Sequence, residues 1–215
     1  MKPAPYLYVE VFEVGQRVQQ LGLTIEILLD AVRAGFTGRS TCTELDPPMY
    51  PGQTMWAHTL RRLRQRTAGI GWKPDNDGNY CVALSPTGHM AIAVATGDAN
   101  TGRPESIPAT SSPKGPRTAE AVAANQLTLD LGFADKNPET QAAGNFPRET
   151  WLLLIHLDHS EVRAELSLPL GLDEQDRVTG WLERIMLPSV EFDPNQVEIS
   201  LQESSDIEIA VKRRA

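Results

Sequence analysis

His156, Asp158 and His159 are the one set of residues whose types and spacing suggest a metal site. Imidazole and carboxylate side chains are suitable ligands for a divalent ion. However, they fall between two β-rich runs, where His156 and Asp158 share one face of a strand and His159 does not. Asp158 and Ser160 are also typical of a polar turn that hydrogen-bonds its own backbone. The pattern favours the turn, and we predict no metal and no cofactor.

The motifs of several common enzyme classes are absent from the sequence. There is no GxSxG nucleophile elbow, no HExxH zinc-protease motif, no GxxxxGK[ST] phosphate loop and no GxGxxG dinucleotide fingerprint. The two cysteines, Cys42 and Cys81, do not form a CxxC pair, which excludes a zinc finger. His58 and His89 are isolated. The sequence therefore names no catalytic residue and favours a protein that is not an enzyme.

A basic segment is the first candidate binding region. Residues 53–73 contain five basic side chains and no acidic one, whereas the whole chain has a net charge of −8. A concentrated positive face marks a negatively charged partner. The candidate nucleic-acid contacts are Arg61, Arg62, Arg64, Arg66 and Lys73. The alternatives are a solvated helix face and arginines that pair with the protein's own acidic C-terminal half.

The order of elements around this segment resembles that of a winged helix. Two helices precede the basic helix, and a hairpin over 80–95 follows it, as in proteins whose third helix enters the major groove. Against this, a 17-residue loop (36–52) separates the second and third helices, where a compact helix-turn-helix has three or four residues. The acidic remainder of the chain would also repel a duplex.

A polar segment over 96–118 is the second candidate binding region. Glycines there let a backbone approach a ligand, and hydroxyl, amide and basic groups bind phosphate or sugar oxygens. The candidate ligand-binding residues are Thr96, Asp98, Asn100, Thr101, Lys114 and Thr118. We expect the segment to order against the end of the hairpin, with Asp98, Thr101 and Lys114 in one polar cluster. The alternative is an ordinary polar loop.

Hydrophobic periodicity predicts the elements that position these residues. Helices are expected at 11–21, at 24–35 with Thr24 as the cap, at 54–68 and at 118–127. The stretch Tyr6–Phe12 alternates enough to form a strand instead. Strands Tyr80–Leu84 and Met90–Ala95 are joined by a turn at Ser85–Gly88. Because one face of the second strand is all alanine, we expect that strand to be covered on both faces.

The last third of the chain predicts antiparallel strands and one helix. Trp151–Leu157 and Val162–Leu168 form a hairpin, and Val197–Leu201 and Ile207–Val211 form another. Between them, Asp173 caps a helix whose Val178, Trp181, Leu182 and Ile185 follow helical spacing, with Trp181 packed on the first hairpin. The fold class is α+β: N-terminal helices and a β-hairpin, followed by a mostly antiparallel sheet with one packed helix.

Composition and domain organisation complete these expectations. With 40% hydrophobic and 22% charged residues among 215, the chain is globular. We expect a helical segment with the winged-helix-like hairpin (1–97), a partly disordered connection (98–149) and an antiparallel β region with one helix (150–215), or one domain over 1–215. No signal peptide or membrane span is recognisable, which indicates the cytoplasm. Residues 139–211 hold fifteen acidic and four basic groups.

The function that these observations favour is that of a soluble accessory or regulatory protein that binds a protein partner. One alternative is a nucleic-acid-binding protein resembling a winged helix. The other is a nucleotide- or phosphate-binding protein, or an enzyme, that uses residues 96–118. The sequence gives no indication of the oligomeric state.

Overall fold

The structure, a computed structural model, describes residues 4–132 and 148–192, and within these ranges the predicted α+β class is confirmed. The helices are α1 (Val11–Gln20), α2 (Ile25–Ser40), α3 (Tyr50–Ala68) and α4 (Pro116–Gly132). The strands are β1 (Tyr6–Tyr8), β2 (Lys73–Asp75), β3 (Val82–Leu84), β4 (Met90–Thr96), β5 (Glu149–Leu157), β6 (Glu161–Leu172), β7 (Val178–Met186) and β8 (Val190–Glu191).

All eight strands belong to one mixed sheet. Its order is β1-β7-β6-β5-β4-β3-β2, and β8 pairs with β6. The β1–β7 and β4–β5 pairs are parallel, and the other pairs are antiparallel. The sheet therefore joins strands from both sides of the segment 98–149. The second predicted hairpin, 197–211, lies outside the described residues.

Both faces of the sheet are covered. Ile92 and Val94 of β4 belong to the apolar core shared with α1, α2 and α3. The alanines of β4 face the other way, into a smaller core with Val122 of α4 and Trp181 of β7. The expectation that this strand is covered on both sides is confirmed. Small side chains suit this position because they let α4 approach the sheet closely.

Helix α2 runs past Gly35, where the sequence predicted its end. A Cβ atom on Gly35 would lie 1.9 Å from Thr59 Oγ1 of α3, and one on Gly38 would lie 2.6 Å from the His58 ring. The two glycines therefore allow α2 and α3 to pack closely, and they do not stop the helix. The loop between α2 and α3 is therefore shorter than predicted and comprises residues 41–49.

The predicted helix after Asp173 is wrong, because residues 178–186 form strand β7. Asp173 does cap backbone N–H groups, but they are those of Gln175 and Arg177 in the β6–β7 turn. The helical spacing of the apolar residues is coincidental. A strand that is covered on both faces needs no alternation of apolar and polar residues.

Asn125 of α4 links β5 and β6 by hydrogen bonds at the point where the two strands stop pairing. The register between these strands places Thr150 opposite Pro169, which has no N–H to donate. The Asn125 side chain bridges the gap: it accepts from the Thr150 N–H (2.8 Å) and donates to the Thr150 and Pro169 carbonyl oxygens (3.0 and 2.9 Å). A side-chain amide thus takes the place of a peptide group between two strands.

Replacing Asn125 with leucine is expected to destabilise the protein by about 2–3 kcal/mol, because buried backbone groups of Thr150 and Pro169 lose their partners. The measurement is the free energy of unfolding in urea. Gln126→Leu is the matched control: this neighbouring side chain is exposed and donates to the Leu170 carbonyl oxygen. An equal effect of the two substitutions would contradict the bridging role.

Candidate functional site

The segment 97–115, which we call the strap, folds back against the end of β4. Gly97 and Thr110 form a β-bridge, and the Asp98 N–H donates to the Ala109 carbonyl oxygen. The Ser111 N–H donates in turn to the Thr96 carbonyl oxygen. This confirms the expectation that the segment orders against the hairpin end.

The returning arm of the strap lies along β7. Trp181 Nε1 donates to the Pro108 carbonyl oxygen at 2.8 Å. Nearer the β6–β7 turn, the Thr110 N–H donates to the Val178 carbonyl oxygen, and Thr110 Oγ1 accepts from the Val178 N–H. The strap is therefore hydrogen-bonded to the sheet as an additional layer.

A buried ion pair anchors the strap. Arg184 of β7 and Glu165 of β6 are 1% and 0% exposed, and Arg184 Nη2 lies 2.6 Å from Glu165 Oε2. Glu165 also accepts from the Gly102 N–H (2.9 Å), while Arg184 donates to the Ser106 carbonyl oxygen (2.6 Å). Both charged groups hold strap backbone, so their role in the structure is to fix this loop.

Of the six predicted ligand-binding residues, Asp98, Asn100 and Thr101 lie in one hydrogen-bonded turn of the strap, and the other three have different neighbours. Asp98 closes a turn by accepting from the Asn100 N–H (3.1 Å), and Thr101 is fully buried against Gly97. Lys114 lies at the β6–β7 turn, where its N–H donates to the Asp176 carbonyl oxygen, and burial lowers the pKa of its ammonium group. The structure thus gives Asp98 and Lys114 different neighbours.

Two of the six residues lie at the ends of regular elements. Thr96 is exposed at the end of β4, and Thr118 is buried in the first turn of α4. Thr118 is close to the hydroxyl group of Tyr80. Burial raises the pKa of Tyr80, and the Thr118 side chain partly opposes this rise. The two residues therefore differ in exposure and in the element that holds them.

The basic residues of α3 have mixed roles. Arg62 and Arg66 both face Asp30 of α2, at 3.8 and 3.2 Å. Arg64 donates to the Val82 and Asp75 carbonyl oxygens and so holds the β2–β3 edge. Within residues 4–132 and 148–192, the internal contacts of these arginines are thus with α2 and the β2–β3 edge.

Arg61 and Lys73 are exposed, Arg61 on α3 and Lys73 at the start of β2. The hairpin that follows α3 lies within the sheet, because β4 pairs with β5 on its other side. In a winged helix, by contrast, the hairpin projects beside the recognition helix.

Asp158 and His159 lie in the turn between β5 and β6, as the sequence indicated, and His156 lies near the end of β5. Asp158 Oδ1 accepts from the His159 N–H (2.8 Å), which lowers the pKa of this carboxyl group, and Asp158 Oδ2 pairs with Arg163 at 3.1 Å. His156 Nδ1 lies 3.2 Å from the Gly97 carbonyl oxygen. Within residues 4–132 and 148–192, no group of three or more His, Cys, Asp or Glu side chains could hold a metal ion.

Sequence reasoning missed an exposed apolar surface at the start of the chain. The N-terminal apolar surface consists of Tyr6, Leu7, Val9, Val11 and Phe12. Three of these side chains are exposed by more than two thirds: Tyr6 (68%), Val11 (74%) and Phe12 (73%). Helical spacing assigned Val11 to the inner face of α1, but the buried residues of this helix are Val14 and Val18. In the part of the chain that the structure describes, the first turn of α1 is therefore left exposed.

A second exposed apolar group lies between α2 and α3. It comprises Leu45, which is 97% exposed, together with Met49, Tyr50 and Trp56. Tyr50 lines a cavity of about 240 Å³ on the exposed side of α3, which Arg61 also lines. The clustering of large apolar residues in the loop was a signal available in the sequence.

A polar cluster lies beneath α1, next to the N-terminal apolar surface. Arg17 binds both carboxylate oxygens of Glu183 of β7, with Nη2 to Oε2 at 2.8 Å, and stands 5.7 Å from the ring centroid of Trp151. Glu149 of β5 and Tyr8 of β1 interact electrostatically with the same groups. Burial raises the pKa of both Glu149 and Tyr8. The α1 segment is therefore attached to the sheet through charged groups as well as apolar ones.

Comparison with known proteins does not extend these observations. No helix within the described residues is long and apolar enough to cross a membrane. No protein-family model, no curated protein and no solved structure matches the chain.

Proposed function

We propose that this is a soluble cytoplasmic accessory or regulatory protein, and that it acts by binding a protein partner through its N-terminal apolar surface. The observation that carries the proposal is the concentration of five exposed large apolar side chains within residues 6–12. Single exposed apolar residues are ordinary, but contiguous ones mark interaction sites in soluble proteins.

The composition of this surface suits a protein partner. Tyr6 and Phe12 offer large, rigid contact area, and aromatic residues are enriched where protein interfaces are most deeply buried. Glu10 and Glu13 are exposed beside them and supply a charged rim. Such a rim steers association and discriminates between partners more than it adds affinity.

The competing functions have less support. Three of the five basic residues contact Asp30 or the β2–β3 backbone, so nucleic-acid binding would depend mainly on Arg61 and Lys73. The polar atoms of the strap are largely used in holding the strap itself. Neither region presents a concentrated set of polar groups for a ligand.

The test compares capture of a partner by the wild-type protein and by a variant. Val11→Ser with Phe12→Ser removes the two most exposed side chains of the surface without touching the buried face of α1. Each protein is immobilised, incubated with extract from its own host, and its captured proteins are quantified by mass spectrometry. We expect at least one protein captured by the wild type to fall about tenfold, the loss of roughly 1.4 kcal/mol of binding free energy.

The matched control substitutes apolar residues that are exposed singly. Ile70→Ser with Leu127→Ser removes similar apolar area elsewhere, since these side chains are 46% and 56% exposed. The control should retain the protein that the first variant loses. Equal capture by all three proteins would overturn the assignment of the N-terminal apolar surface.

A further inference from the structure

The two outer strands of the sheet differ in how they are protected against pairing with another chain. An outer strand leaves backbone N–H and C=O groups without partners in the sheet, and native proteins protect such edges with proline and charged side chains. β2 has both, because it consists of Lys73, Pro74 and Asp75. Arg64 also donates to the Asp75 carbonyl oxygen at 2.8 Å. The β2 edge is therefore poorly suited to accepting a further strand.

β1, the outer strand at the opposite end of the sheet, has neither form of protection. It consists of Tyr6, Leu7 and Tyr8, and in the part of the chain that the structure describes it pairs with β7 alone. In a parallel pair, every second residue directs both its N–H and its C=O group away from the neighbouring strand. β1 therefore offers backbone donors and acceptors to a further strand.

A groove of about 350 Å³ lies beside this edge, between β1 and α1. Tyr8, Glu13 and Arg17 are among the residues that line it. Tyr8 interacts electrostatically with Glu13 and Arg17, so its side chain faces α1, and Tyr6 shares that face because side chains alternate along a strand. A strand added to β1 would direct alternate side chains toward α1 in the same way.

The charges beside the groove favour a basic occupant. Arg17 is neutralised by Glu183, because it binds both carboxylate oxygens of that residue. Glu10 and Glu13 are exposed, and among the described residues no ion pair involves them. These two carboxylates complement Lys or Arg side chains, and the net charge of −8 attracts a basic partner at longer range.

We propose that β1 accepts an extended, basic segment of a partner protein as an additional strand. The backbone of the segment pairs with β1, its Lys or Arg side chains face Glu10 and Glu13, and its apolar side chains contact the N-terminal apolar surface. In this mode of recognition, main-chain hydrogen bonds provide affinity and side chains provide specificity.

The inference rests on the proposed function and specifies the chemistry of the partner. Because β1 has three residues, its few backbone hydrogen bonds need the apolar contacts of residues 6–12 to give a stable complex. A second copy of the chain is a poorer occupant. It would bring another net charge of −8 and the same unpaired carboxylates to the edge.

Selection from a library of short random peptides displayed on phage tests the proposal. The full chain is immobilised, and the enriched peptides are sequenced. We expect them to alternate apolar with polar or basic residues and to carry a net positive charge. The tightest binder is then synthesised, labelled with a fluorophore and titrated with the protein by fluorescence polarisation.

Backbone N-methylation of this peptide tests strand pairing. At alternate positions it removes an N–H group that donates to β1, so we expect binding to weaken about tenfold at each of them. At the positions between, where the N–H groups face away from β1, we expect little change. Amides of β1 should also gain protection from hydrogen exchange when the unmodified peptide binds.

Glu10→Gln combined with Glu13→Gln tests the charge complementarity. We expect the affinity for the selected peptide to fall about three- to tenfold, as for the loss of two partly exposed ion pairs, and its salt dependence to weaken. The matched control, Glu44→Gln with Glu174→Gln, removes two exposed carboxylates elsewhere and should keep the wild-type affinity.

Several results would overturn the proposal. They are a selection that enriches no peptide, enriched peptides without positive charge, and N-methylation that acts equally at all positions. A dimer of the full chain that is detected by light scattering and weakened by Leu7→Lys would also do so, because it would assign the edge to a second copy.

The same peptides distinguish this inference from the proposed function. A selected peptide with helical spacing that no longer binds to Val11→Ser with Phe12→Ser would overturn strand addition and leave the proposed function intact. A basic, extended peptide that binds this variant as tightly as the wild type would support strand addition and contradict the assignment of the N-terminal apolar surface.

Discussion

Replacing Arg184 with methionine is expected to destabilise the protein by about 3–5 kcal/mol, because Glu165 would remain buried as an uncompensated charge. The substitution also removes the donors that hold the carbonyl oxygens of Arg103 and Ser106 in the strap. The free energy of unfolding in urea measures the effect. Limited proteolysis should show new cleavage within residues 98–115, since the strap loses its anchor.

The matched control removes both charges. Arg184→Met combined with Glu165→Leu leaves an apolar pair in place of the ions, and such replacements are often close to neutral in other proteins. We therefore expect the double variant to be more stable than Arg184→Met alone. A double variant that is less stable than Arg184→Met, or a single substitution costing below about 1 kcal/mol, would contradict the account of this pair.

Trp181→Ala is expected to cost about 3–5 kcal/mol, as is usual for a large aromatic side chain removed from a core. Trp181 lies in the core formed by β4, β5 and α4, and its Nε1 donates to the Pro108 carbonyl oxygen of the strap. The sequence predicted that Trp181 is a core residue. It placed Trp181 in a helix, however, whereas the residue lies in strand β7. Denaturant midpoints at constant m-value measure the loss.

Trp181→Phe separates the free-energy contribution of the hydrogen bond from that of packing. Phenylalanine keeps most of the apolar volume but cannot donate to Pro108, so the expected cost of the lost hydrogen bond is about 1–3 kcal/mol. If Trp181→Ala proved as mild as Trp181→Phe, the residue would contribute only through its hydrogen bond, and the packing argument would fail.

Local patterns predicted most elements correctly. The spacing of Val14 and Val18 reflects one inward helix face, and Thr24 caps α2 by accepting from the Ile27 N–H. In the β3–β4 turn, Gly88 has a positive φ of 78° and donates its N–H to the Ser85 carbonyl oxygen. These features depend on residues that are neighbours in sequence, so a single chain contains the necessary information.

Features that depend on distant partners were not predictable in this way. Glu165 and Arg184 meet only because β6 and β7 pair in one particular register. The burial of Glu183 and Arg184 made β7 polar at positions where a half-exposed strand would be apolar. The apolar residues of β7 therefore matched helical spacing better than strand alternation, and the sequence wrongly predicted a helix there.

The environments of the two candidate binding regions depend on both local and distant residues. A run of basic residues indicates positive charge, but Asp30, which faces Arg62 and Arg66, lies in another helix. The exposure of Val11 depends on its place at the sheet edge, where none of the described residues buries the first turn of α1. Conversely, the strap could be anticipated, because Gly97 follows a buried strand directly.

The parallel pairing of β1 with β7 has a consequence for synthesis of the chain. Tyr6 pairs with Glu183, so β1 cannot take its place in the sheet until the ribosome has delivered nearly all of the strands. At about 5–20 residues per second, this wait is on the order of 10–35 s. For that time residues 6–12 are apolar chain whose partner strand in the sheet has not yet been made.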